Sequence, residues 1–117
     1  MDDNHMALTN LTDEETEVVY QCLRCVATGE LVPHDSEFQT RFGIEPEDVQ
    51  AIVRSLPDIS ESVENVILAI NNSMNELLEC YGEPKWHSHI SVSKAELSRI
   101  FAKWRGKTPD SYFEGMA

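Results

Sequence analysis

Between Asp58 and Gly82 the chain carries nine apolar residues, Ile59, Val63, Val66, Ile67, Ile70, Met74, Leu77, Leu78 and Tyr81, spaced at helical intervals. Such a stripe lies along one side of an α-helix, and a helix can bury a face only against other elements. Asp58 followed three residues later by Glu61 is a start signal, and Gly82 is a stop. The spacing predicts a helix over about 58–81, roughly 35 Å long at about 1.5 Å per residue, enough to be the central strut of a small bundle. Its opposite face, with Glu61, Glu64, Asn71, Asn72, Asn75, Glu76 and Glu79, reads as solvated.

Four shorter helices complete the pattern, and nothing reads as a sheet. Thr12 and Glu15 form a capping box ahead of Val19, Cys22, Leu23 and Val26, with Gly29 as the terminator, which predicts a helix over about 12–28. After Pro33, Asp35 or Ser36 can cap a short helix over about 36–42 that buries Phe38 and Phe42 before Gly43. Pro46 suits a first turn, and Val49, Ile52, Val53 and Leu56 make one apolar stripe, giving a helix over about 46–55. Ser93 and Glu96 open a last amphipathic helix, to about 105, with Leu97, Ile100, Phe101 and Trp104 on one face. Ile90 and Val92 alternate with serines before it and allow a short extended piece. The expected fold is all-α: a compact bundle of about five helices with a long central member. The polar leader 1–10 is expected to be mobile, residues 11–106 form one helical domain, and 107–117 are a tail in which Tyr112 and Phe113 fold back or bind a partner.

Charge is distributed unevenly. The formal net charge is −12, yet residues 1–84 hold 18 acidic residues against Arg24, Arg41 and Arg54, a net −15. Residues 85–107 hold Lys85, Lys94, Arg99, Lys103, Arg105 and Lys107 against Glu96 alone, a net +5. No apolar run reaches the roughly 18 to 20 residues that span a bilayer, so no membrane association is expected. Three cysteines without a secretory signal fit reduced thiols, and the expected location is the cytoplasm.

The stretch "EFQTRFGIEPEDVQAIVRSL", residues 37–56, resembles a helix-turn-helix unit, with an inward Phe38, a glycine in the turn and Val49, Ile52 and Val53 inside the second helix. A DNA-reading version would present Glu45, Glu47, Asp48 and Gln50 to the groove, and like charge opposes contact with phosphates. The economical reading is a packing corner whose acids suit the positive end of the second helix.

The basic segment 85–107, with Trp86, His87, His89 and Trp104 interleaved, is the better candidate for a polyanion contact. Its alternative is intramolecular: a basic terminal helix neutralising the acidic body. Cys22 and Cys25 sit three apart and His87 and His89 two apart, and with Cys80 they are the only plausible metal ligands; the cysteine pair falls in mid-helix among apolar neighbours, which favours buried thiols over a zinc knuckle. "GKT" at Gly106 to Thr108 lacks the first glycine of a phosphate-binding loop, since position 101 is Phe101. Neither G-x-S-x-G nor H-E-x-x-H occurs.

At "AINNSMNELLECYGEPKW" and "FAKWRG" the sequence is similar to short uncharacterised bacterial proteins of helical type. That resemblance implies a compact helical domain and brings no activity, cofactor or catalytic residue. The expected function is a non-enzymatic protein-interaction or regulatory module without cofactor or metal, monomeric or homodimeric, acting on an unidentified and basic protein partner. Trp86, His87, His89, Lys94, Arg99, Lys103, Tyr112 and Phe113 are the candidate contacts. The alternative is a nucleic-acid-binding transcriptional regulator using residues 37–56 or 85–107.

Overall fold

Several helix ends rest on chemistry that the local sequence supplies. The computed structural model describes residues 8–81 and 86–106, without the side chain of Cys80. Helix α1, Asp13–Thr28, opens on a reciprocal capping box: Glu15 N donates to Thr12 Oγ1 at 3.1 Å, and Thr12 N donates to Glu15 Oε1 at 2.9 Å. It closes at Gly29, whose φ of 76° carries the chain out in the left-handed conformation. Helix α2, Phe38–Phe42, is ended the same way by Gly43, φ 74°, whose N–H reaches Gln39 O at 2.8 Å. Helix α3, Pro46–Ser55, starts with Asp48 Oδ2 accepting from Glu45 N at 3.0 Å. The acids of the would-be reading helix therefore serve its initiation.

Helix α4, Glu64–Cys80, departs from the 58–81 expectation. Its 17 residues span about 25 Å. Ser60 and Ser62 divert the backbone into a turn, with Ser62 N donating to Ser60 Oγ at 3.3 Å and Val63 N to Ser60 O at 3.1 Å. The Asp58 cap consequently never forms, and Val63 is left 51% exposed in place of joining the apolar stripe. The shortened helix still packs against every other helix of the described chain. Helix α5, Lys94–Trp104, is capped by Ser93 Oγ, which accepts from Glu96 N at 3.1 Å. No strand forms among the described residues; Ile90 is buried in the core and Ser91 is tied to α1 through Gln21 Oε1, which accepts from its N at 2.9 Å.

The core runs from Phe38 and Phe42, stacked at 4.2 Å between centroids, through Leu23, Ile70, Met74 and Leu77 to Trp86 and Trp104. Burying a large apolar side chain contributes on the order of 1.5–3 kcal/mol, so the two indoles and the phenylalanine pair are among the main contributors to the core. The polar face of α4 is only partly solvated. Asn72 Nδ2 donates to Phe42 O at 2.8 Å and so satisfies the last carbonyl of α2, and Glu76 lies 3.5 Å from Arg41. Glu64, Asn75 and Glu79 are exposed, as expected.

Residues 8–10 are also tied to the helices. Leu8–Asn10 forms a 3-10 turn; Leu8 N donates to both oxygens of Glu61, at 3.0 and 2.9 Å, and Asn10 Nδ2 donates to Trp104 O at 3.2 Å. None of the described helices is long and apolar enough to cross a membrane.

Candidate interaction surfaces

Among the described residues, the basic segment does not present its charge as one patch. Lys103 donates to both carboxylate oxygens of Glu15, at 2.6 and 2.9 Å, locking α5 to the first turn of α1. Partial burial alone would raise the Glu15 pKa, but the Lys103 ammonium and the bonds from Thr12 outweigh it and hold the carboxyl below its ordinary value. His89 Nε2 lies 3.7 Å from Glu30 Oε1, an approach that is an ion pair only when the imidazole is protonated. Arg99 pairs with Glu96 on its own helix, and the Arg105 guanidinium sits 5.2 Å over the Phe101 ring. Lys94 and His87 are exposed. Lys103 thus pairs with the acidic body, whereas Arg99 and Arg105 engage partners on their own helix.

The aromatic candidates divide differently. Trp86, read from sequence as a surface contact, is fully buried, because the turn closed by His89 N and Ile90 N on Trp86 O, at 2.8 and 2.9 Å, directs the indole into the core. A residue with no exposed surface cannot touch a partner. Trp104 is buried too, with its Nε1 donating to Glu61 Oε2 at 2.9 Å. Tyr112 and Phe113 lie outside the described residues.

Two grooves on the described surface combine apolar and charged side chains. One, of about 290 Å³, lies between α4 and α5: Leu78, Phe101 and Ala102 form its floor, and Lys94, Arg105 and Glu79 its rim. The other, of about 360 Å³, lies between α1 and α3, with Ala27 and Val53 beneath Arg24 and Arg54. Sequence reasoning placed Val53 in the core; it is half-buried and faces this second groove.

Cys22 and Cys25 are buried free thiols. Burial pushes the Cys22 thiol strongly up, and burial together with Glu30 raises Cys25 to about 11, so neither is an activated nucleophile near neutrality. Among the described residues no three His, Cys, Asp or Glu side chains converge on a metal position. In the helix-turn-helix-like corner, α3 lays Val49 and Ile52 inward and exposes Glu47, Ala51 and Arg54. No protein-family model, curated protein or solved structure matches the chain.

Proposed function

We propose that the protein is a small acidic helical module that binds another protein through its α4–α5 face, with no catalysis or cofactor of its own. The observation that carries this reading is the groove itself. An apolar floor of Leu78, Phe101 and Ala102 ringed by Lys94, Arg105 and Glu79 has the layout of a protein interface, apolar within and polar at the rim. The acidic body adds long-range attraction for a basic partner, and the mixed rim fixes orientation at contact. A photo-crosslinking residue at Ala95, which is exposed and lines the groove, tests it against the same residue at Glu14, which is exposed on α1. One stoichiometric adduct from position 95 and none from position 14 is the expected outcome; equal labelling from both sites sinks the reading.

A nucleic-acid-binding regulator is the second reading, favoured by exposed Arg99 on α5 and Arg54 on α3. It is weakened by the engagement of Lys103 with Glu15 and by the acids in the first turn of α3, Glu47 and Asp48, where a reading helix would meet phosphates. A salt-dependent mobility shift lost in Arg99→Glu supports it, and no shift at low salt removes it.

A further inference from the structure

We infer that the α1–α3 groove is a second docking site, and that its occupant is an acidic peptide segment of a partner protein carrying one aliphatic or aromatic anchor. The floor supplies the apolar half of that chemistry: Ala27 and Val53 are half-buried, and Gln50 Nε2, donating to Ala27 O at 3.3 Å, fixes α3 against the last turn of α1. The rim supplies the charged half. Residues 8–81 hold only three basic side chains other than histidine. Arg41 is committed to Glu76 at 3.5 Å and approaches Glu37 at 4.0 Å; the other two, Arg24 and Arg54, flank this groove. Arg24 gives one N–H to Glu17 at 3.0 Å and keeps further donors, while Arg54 has no ion pair or hydrogen bond among the described residues. No acid lines the groove, although the chain as a whole carries −12. Guanidinium forks match carboxylates in bidentate geometry, and the apolar floor adds affinity that a bare phosphate would not gain.

The acidic body repels such a segment at long range. That repulsion is screened over about 8 Å at physiological ionic strength, against about 30 Å at 0.01 M, whereas contacts at the rim survive. The site is shallow and open to solvent, so it offers a seat for one anchor side chain with carboxylates over the arginines, not an enclosed cavity.

The test is fluorescence anisotropy on the full chain with a labelled Glu-Glu-Phe-Leu-Glu peptide, its glutamine counterpart, and amide shift mapping. Expected are saturable binding, shifts centred on Ala27 and Val53, and affinity at least about tenfold weaker for the glutamine peptide and for Arg54→Glu, roughly 1.4 kcal/mol. Raising salt from about 0.01 M to about 0.15 M should leave affinity unchanged or improve it, because body repulsion is screened first. Arg54 is exposed, so its substitution leaves the fold intact, and Ala95→Arg, which fills the α4–α5 groove, should leave peptide binding unchanged. Equal binding of the glutamine peptide, indifference to Arg54→Glu, or shifts centred on the α4–α5 groove would overturn the assignment.

Discussion

Glu61 Oε2 accepts a hydrogen bond from the buried indole of Trp104 at 2.9 Å, and the same carboxylate accepts from Leu8 N. One side chain in a loop thereby ties the N-terminal turn to the last helix. Removing it strands the Trp104 Nε1, so Glu61→Ala is expected to cost roughly 2–3 kcal/mol, and Glu61→Gln, which keeps an acceptor, about 1 kcal/mol. Urea unfolding would read this as a lower midpoint at unchanged slope. In a Trp104→Phe background the Glu61→Ala cost should shrink by about 1 kcal/mol, since the pair acts as a unit. Additive losses would refute the link.

The bond between Lys103 and Glu15 makes a pH prediction. A carboxyl whose folded pKa lies below its ordinary value of 4.5 contributes stability that is fully present above 4.5 and is lost as pH falls through the depressed folded value. Stability of the native protein should therefore fall on acidification below 4.5, and Glu15→Gln should flatten that limb while lowering stability near neutrality. Lys103→Ala should do so to a lesser extent, because the Thr12 bonds to Glu15 remain. Thermal midpoints between about pH 7 and pH 3 would check the sign; an unchanged acid limb in Glu15→Gln would count against it.

What was legible in the sequence is what is decided locally. Thr12 with Glu15, Ser93 with Glu96, and the glycines at 29 and 43 each act within a few residues of the helix end they control, and these ends fall where the sequence places them. The start of α4 was not legible in this way. Asp58 and Glu61 carry the spacing of a cap, but Glu61 is claimed by Trp104, 43 residues away, and by Leu8, 53 residues away, partners that exist only once the chain has folded. Trp86 likewise reads as a surface aromatic beside His87 and is turned inward by a turn. Both grooves are products of helix packing. Their residues carry no shared spacing, so Val53 looked like core and Arg54 like a lone charge.

Two of the helix-terminating glycines, Gly29 and Gly43, should differ in tolerance. Both have left-handed φ, which costs a residue with a Cβ roughly 1–2 kcal/mol. At Gly43 a methyl would meet Leu68 Cδ1 at 3.6 Å, ordinary contact, so Gly43→Ala should show the conformational cost alone. At Gly29 it would sit 3.2 Å from the His34 ring, which is itself held by its Nε2 on Val26 O at 2.8 Å. Gly29→Ala should be the more damaging, and adding His34→Ala should recover part of the difference, as chemical denaturation of the three variants would show. Equal costs at the two positions would exclude the steric contribution.

The helical cysteine pair predicts a reactivity pattern that separates packing from redox or metal chemistry. Cys22 is sealed in the core, and the Cys25 thiol, pushed up to about 11 by burial and by Glu30, holds little thiolate at neutral pH. Both should therefore resist alkylation in the folded protein and react stoichiometrically once it unfolds. Measured in a Cys80→Ser background, so that only this pair is counted, the labelling rate should track the population of unfolded protein across a denaturant series. Cys22→Ala should cost roughly 1–2 kcal/mol through the cavity it leaves, and Cys22→Ser more, because it buries a hydroxyl in an apolar setting. Rapid labelling of either thiol under native conditions would show that the α1 core opens locally, and the packing role assigned to the pair would then fall.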